Sequence, residues 1–279
     1  MRGILLLVLW PLLILGLFAI FVLSGTVTAT LATCGIVVLS FALELVDSSL
    51  GMGYGTTLTP ILLLFGYEPL DLVPTILVSE FLSGFTAALF HAEAGNVQLR
   101  RGTRHQKAAV LLSAFGLVGT LVGVEVALSI PGPALRTLIG AVILASGILI
   151  LVSHRTGFTF RRWKVACLGL VASFNKAVSG GGYGPLMTSG QILSGLEARA
   201  AVGITSLAEG FTCLTGSVAF LLRGQSLDPE LLLPVVTGAL LSVPISARIV
   251  KRVPEHGMKR VVAGATMAMG LFIVVKAAL

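Results

Sequence analysis

The chain of 279 residues is 56% hydrophobic and 11% charged, with a mean hydropathy of +1.01, a balance that excludes an ordinary soluble domain. The formal net charge of +7 does not point to nucleic acid, because the basic residues gather in short loops between apolar runs, as in the cytoplasmic loops of a membrane protein. Cys34, Cys167 and Cys213 all lie in apolar stretches and form no CxxC pair or His/Cys cluster, so no disulfide framework, metal site or cofactor is expected.

Arg2 and the apolar run to Leu23 read as a retained membrane span, since the run is too long and its charged lead too thin for a signal peptide. A long apolar segment starts at Thr30 and carries Glu44 and Asp47 before the cluster Gly51-Met52-Gly53-Tyr54-Gly55 interrupts it. A short piece, Leu58 to Phe65, follows the break, and the turn Gly66-Tyr67-Glu68-Pro69 leads into a span at about 71–91 with Glu80 near its middle. After a basic loop with Arg100, Arg101, Arg104 and Lys107 come spans at about 108–129 and 134–152, joined by Pro131-Gly132-Pro133. A second basic loop holds Arg155, Arg161, Arg162 and Lys164.

The second half repeats this order. An apolar segment from Val165 to Val178 is broken by Gly180-Gly181-Gly182-Tyr183-Gly184, 129 residues after the first cluster. The same ungapped shift superposes Thr59 on Thr188, Gly66 on Gly195, Glu68 on Glu197, Glu80 on Glu209 and Gly95 on Gly224. An internal duplication explains that register; two chance glycine clusters do not. A short piece from Leu186 to Leu193, a turn at Gly195 and spans at about 198–222, 231–250 and 260–278 complete the half. The last two spans flank Lys251, Arg252, Lys259 and Arg260.

The positive-inside rule places the loops at 100–107, 154–164 and 251–260 in the cytoplasm. Between the second and third of these lie the broken segment and two full spans, so the broken segment must cross an even number of times. The 14 residues from Val165 to Val178 would make a helix of only ~21 Å, short of ~30 Å of hydrocarbon. Re-entrant hairpins fit; two short crossings give the same parity. The expectation is an all-α polytopic membrane protein built of two inverted-topology repeats. Each repeat would hold one broken, re-entrant hairpin and three full spans. Its divisions are an N-terminal span at 1–28, a first repeat at 29–153, a cytoplasmic connecting loop at 154–164 and a second repeat at 165–279. The N-terminus would be cytoplasmic and the C-terminus outside, in a cell membrane.

Non-helical backbone at membrane depth survives only where protein or a water-filled cavity surrounds it, and paired breaks in two halves mark a transporter's binding site. Helices are expected to restart at Thr56-Thr57 and at Pro185, where a missing N–H costs nothing. Two helix N-termini aimed at one place make an anion site. Candidate binding residues are Gly53, Tyr54, Gly55, Thr56, Thr57, Ser179, Gly182, Tyr183 and Gly184, with further hydroxyls on Thr59 and Thr188. Lys176 stands at the position equivalent to Asp47 and would supply counter-charge, or pair with Asp47 to hold the tips together. Ionisable groups at that depth cost at least ~2.5 kcal/mol each and mark function. Glu80 and Glu209 would either titrate to couple transport to protons or accept the orphan N–H groups of the hairpins. Glu44 falls on the same helix face as Asp47, Asn175 would partner broken backbone, and Glu68 and Glu197 read as solvated or capping. His91 and His154 read as interfacial side chains at span ends.

The stretch from Asp47 through Gly51-Met-Gly-Tyr-Gly55 to Thr56 and Pro60, the stretch from Phe174 through Lys176 and Gly180-Gly-Gly-Tyr-Gly184 to Pro185, and Gly195 through Glu209-Gly210 together resemble the TauE/SafE family of sulfite and organosulfonate exporters. The resemblance covers about 33–279. It implies secondary transport of a small inorganic or organic anion, such as sulfite, a sulfonate or a sulfur-containing carboxylate. Transport would run outward and be driven by the membrane potential or a proton gradient. The chain departs from the commoner family motif in reading Gly-Met-Gly-Tyr-Gly in its first half, and it carries Asn175 and Lys176 before the second glycines. The expected partners are the anion, the lipid bilayer, a coupled proton and further copies of the chain, with no nucleic acid. The alternatives are a passive anion channel and a membrane-embedded enzyme; no HExxH motif or nucleophile–base arrangement favours the enzyme.

Overall fold

The computed structural model describes residues 2–26, 30–152, 162–193 and 196–250, with isolated helical positions between 264 and 275. Every element among the described residues is helical. In chain order they are α1 (Arg2–Leu23), α2 (Leu31–Leu50), α3 (Tyr54–Leu64), α4 (Pro69–Glu93), α5 (Arg104–Ser129), α6 (Gly132–Val152), α7 (Arg162–Ser179), α8 (Tyr183–Leu193), α9 (Ala198–Leu222) and α10 (Pro229–Ile249). Most of the expected last span, the 251–260 loop, Gly195, His154 and most of the second basic loop lie outside the described residues.

Local chemistry sets the boundaries. Thr30, Thr103 and Asp228 cap α2, α5 and α10 through their side-chain oxygens, and Pro69 and Pro229 open α4 and α10 where no N–H is needed. Five helices, α2, α4, α5, α9 and α10, are each long and apolar enough to cross a membrane. Large apolar side chains on the outer face of α5, among them Val110, Val118, Leu121 and Val122, are exposed, as a lipid-facing surface requires.

One expectation needs correction. The helix before the second break is not 14 residues long but 18, about 27 Å, because it continues back through the basic residues to Arg162. The corresponding α2 has 20 residues. Length alone therefore does not make these segments re-entrant. The fold supplies a different observation: Ala32 and Ile36 near the start of α2 line one cavity of about 730 Å³ with Phe65, Gly66 and Tyr67 at the end of α3. The end of α3 therefore lies beside the start of α2.

The two halves pack through matching contacts. A Cβ at Gly119 of α5 would strike the Leu170 backbone of α7. A Cβ at Gly238 of α10 would strike α2 at Val37 and Phe41, and Phe41 is the duplication partner of Leu170. Small residues allow this close approach in a membrane, where hydrophobic drive between helices is absent. The duplicated pair α4 and α9 run antiparallel: Leu77 meets Gly216, while Gly84 meets Ser206 and Gly210. Outside the repeat, Trp10 of α1 donates to the Leu240 carbonyl at 2.8 Å and stacks edge-on against Phe90.

Candidate functional site

The glycine-tipped breaks meet in the protein interior. Gly51 (φ 71°) ends α2 and Gly180 (φ 69°) ends α7, both left-handed, a conformation that favours glycine. Each tip seats on the other in the same way. A Cβ on Gly55 would overlap the Gly180 carbonyl oxygen, and one on Gly184 would overlap the Gly51 carbonyl oxygen. Thr188 Oγ1 donates to the Gly51 carbonyl at 2.8 Å, and its duplicate Thr59 lies against Gly180. Tyr54 and Tyr183 are fully buried beside the tips. The binding residues expected from the sequence are therefore brought together, in backbone-to-backbone contact.

The helices restart earlier than expected, at Tyr54 and Tyr183. Gly53 (φ 132°) and Gly182 (φ 83°) are the last left-handed residues, so a right-handed helix can begin immediately after them. Pro185 consequently sits third rather than first in α8, which its missing N–H still permits.

The charged groups pair differently from expectation. The Lys176 ammonium is not paired with Asp47; it lies between Glu80 and Glu209, contacting Glu80 Oε2 closely and Glu209 Oε1 at 2.8 Å. Cys213 Sγ approaches the same Glu80 oxygen at 3.6 Å. Asp47 instead accepts the Tyr54 backbone N–H at 3.2 Å, so the orphan N–H expected to reach a mid-span glutamate is held by an aspartate on the preceding helix. The reason is geometric. α4 and α9 cross each other near Glu80 and Glu209, and α7 delivers Lys176 to that crossing from the side. Lys176 is 1% exposed and contacts two carboxylates directly, while Asp47 lies beyond contact distance.

Glu44 is also buried, with Oε1 accepting from Ser48 Oγ at 2.6 Å. Ser179 serves its own tip: its hydroxyl donates to the Asn175 carbonyl at 2.8 Å and accepts from the Gly181 N–H at 3.2 Å. Thr57 is buried at the start of α3. The hydroxyls of Thr56 and Thr59 are buried without a hydrogen-bond partner, and Tyr183 OH lies near Thr212. A donor that desolvates and finds nothing costs free energy, so Thr56 and Thr59 have capacity for a ligand.

His91 is not interfacial but fully buried. Its Nε2 lies 2.8 Å from the Ser48 carbonyl and its Nδ1 3.0 Å from the Asn96 amide, which also donates to the Ala247 carbonyl at 2.9 Å. An Asn96 amide donor makes Nδ1 the acceptor and Nε2 the donor, the neutral ring. This chain ties α2, α4 and α10 together near the first tip. Sequence reading missed it, and it missed Ser79, whose hydroxyl meets the Tyr54 OH at 2.9 Å. No motif signals such pairs; each joins residues on different helices. At the periphery, Glu68 pairs with Arg136 at 2.5 Å and Glu197 with Arg199 at 2.8 Å, both exposed. A cavity of about 50 Å³ opens beside the first tip, lined by Ser49, Leu50, Ile192, Arg199, Val202 and Val250.

The profile of the family described as sulfite exporter TauE/SafE matches residues 36–273. Two proteins of Bacillus subtilis (strain 168) are similar to the chain. The probable membrane transporter protein YtnM is 27% identical over 234 residues, 79% of this chain and 75% of the relative. The probable membrane transporter protein YdhB is 24% identical over 237 residues, 80% of this chain and 93% of the relative. No solved structure matches the chain significantly.

Proposed function

The chain belongs to the sulfite exporter TauE/SafE family of membrane transporters, and from that premise we propose that it exports a small anion such as sulfite, a sulfonate or a sulfur-containing carboxylate by alternating access. The observation that carries this reading is the reciprocal seating of the two glycine tips, with the Thr56 and Thr59 hydroxyls buried and unpartnered around it. The N-termini of α3 and α8 start at these tips and bring positive dipole ends to the same place. The anion would bind as the tips separate, against the backbone of Gly53, Gly55, Gly182 and Gly184, with Thr56, Thr57, Ser179, Tyr54 and Tyr183 around it. Lys176 would act at one remove, by offsetting one of the two negative charges of Glu80 and Glu209 and holding them together.

Two inverted repeats suit this reading. The antiparallel packing of the duplicates α4 and α9 supports opposite directions through the membrane, and the end of α3 lying beside the start of α2 supports a hairpin that returns to its own side. On the charge pattern, the first half spans 29–153 and the second 165–279, with the N-terminus cytoplasmic and the C-terminus outside.

Labelled sulfite exchange in proteoliposomes tests the proposal. Saturable uptake accelerated by unlabelled sulfite inside is expected, and the double variant Thr56→Val/Thr59→Val should slow it at least tenfold, about 1.4 kcal/mol of lost binding. Conductive flux without counterflow would identify a channel. Sulfite consumption without transport would identify an enzyme.

A further inference from the structure

We propose that Glu44 carries a proton that crosses the membrane together with the transported anion, an inference that rests on the transport reading above. Four carboxylates lie around the tips, Asp47 half-buried and the others buried, and three of them have a partner that favours their charge. Asp47 accepts a backbone N–H, and Glu80 and Glu209 share the Lys176 ammonium. Glu44 is the exception. Its neighbours are neutral hydroxyls: Oε1 accepts from Ser48 Oγ at 2.6 Å, and Ser83 Oγ of the neighbouring α4 stands beside the carboxyl. A carboxylate in such a place avoids the cost of an isolated buried charge by holding a proton.

The duplication shows that the fold does not need an acid there. The residue equivalent to Glu44 is Ser173, and the residue equivalent to Ser83 is Thr212. Those two hydroxyls meet at 3.3 Å, a neutral pair in the same register. The second half therefore packs its broken helix with a hydroxyl where the first half places a carboxylate. What the acid adds is a titratable proton.

Electrostatics sets the direction of coupling. The ionisable groups near Glu44 are Asp47 on its own helix, His91 of α4 at Ser48, Tyr54 of α3, Glu209 of α9 and, through Glu209, Lys176 of α7. α10 carries its ionisable side chains, Glu230 and Arg248, only near its ends. With the single charge of Lys176 already outnumbered by Glu80 and Glu209, an arriving anion meets less negative charge when Glu44 is neutral. Anion binding must then strengthen proton binding, and by linkage the proton strengthens anion binding to the same degree. The two travel in the same direction, outward when the anion's own outward concentration gradient drives export. Only a proton moves at this step: Glu44 takes it from water at one face and returns it to water at the other.

Three measurements on the full chain in proteoliposomes test this, with protein-free vesicles subtracted and the voltage clamped. A pH gradient of one unit should accumulate labelled sulfite about tenfold through the unmodified protein, the limit for one proton per monoanion. Glu44→Gln should abolish that accumulation and the sulfite-driven proton flux seen by a trapped pH dye, while sulfite counterflow stays above the protein-free level. The infrared band of a protonated carboxyl should be present in the unmodified protein and lost in Glu44→Gln. If Glu44→Gln does not fold, Glu44→Ser, copied from the second half, takes its place. Accumulation or proton flux that survives in the variant, or an unchanged carboxyl band, overturns the inference and leaves the transport reading standing. Absence of sulfite counterflow from the unmodified protein overturns both.

Discussion

Lys176 ties together two carboxylates that come from different halves of the duplication. A lysine in an apolar stretch is legible as costly and therefore meaningful. Its partners are not legible, because Glu80, Glu209 and Lys176 sit on three helices far apart in the chain. Spacing suggested Asp47; the crossing of α4 and α9 decided otherwise. The pairing has a measurable consequence. Lys176→Met leaves two buried carboxylates without counter-charge and should cost about 3–5 kcal/mol, read as a large drop in the thermal unfolding midpoint in detergent. Adding Glu80→Gln and Glu209→Gln should restore much of that loss, since the charges needing compensation are gone. A triple variant as unstable as Lys176→Met would show that the ammonium matters for packing and not for charge.

The broken helices are the elements on which the interior is built. Their glycines were visible in the sequence as a repeated cluster, and the clusters do break the helices. What the sequence could not show is which glycine answers to steric need. Gly55 and Gly184 leave no room for a Cβ, because each faces a backbone carbonyl of the opposite tip that no rotamer change can move. Gly55→Ala and Gly184→Ala should each destabilise by about 1–3 kcal/mol or more, and transport should fall with the yield of folded protein. Gly35→Ala on α2, where nothing lies within 4 Å, should be near neutral or slightly stabilising through helix propensity. Equal effects at all three positions would mean the tips are not in contact. The helix restart points were misread by two residues for a related reason: a proline constrains only its own turn, whereas the last left-handed glycine decides where helix can begin.

At the scale of the molecule, α4 and α9 pack on each other in reverse order, and the proposed inverted repeats can be tested on them. Single cysteines at Arg101 and Ser226, in a background with Cys34 and Cys167 replaced by alanine, should react with a membrane-impermeant maleimide from opposite sides of intact cells. Arg101 follows α4 and Ser226 follows its duplicate α9, so equal accessibility from one side would exclude opposed repeats. The ion pair between Glu68 and Arg136 joins the turn where α3 leads into α4 to α6.

The sequence by itself determined the helical membrane class and the positions of both breaks, because hydropathy and glycine clusters are local properties written in chain order. Tertiary structure alone decided which side chains satisfy one another: Lys176 with two glutamates, Asp47 with the Tyr54 amide, His91 with the end of α2, and Glu44 with neutral hydroxyls. Low-dielectric surroundings make each of those pairings energetically decisive, yet every one depends on how separate helices cross, and no spacing along the chain encodes a crossing.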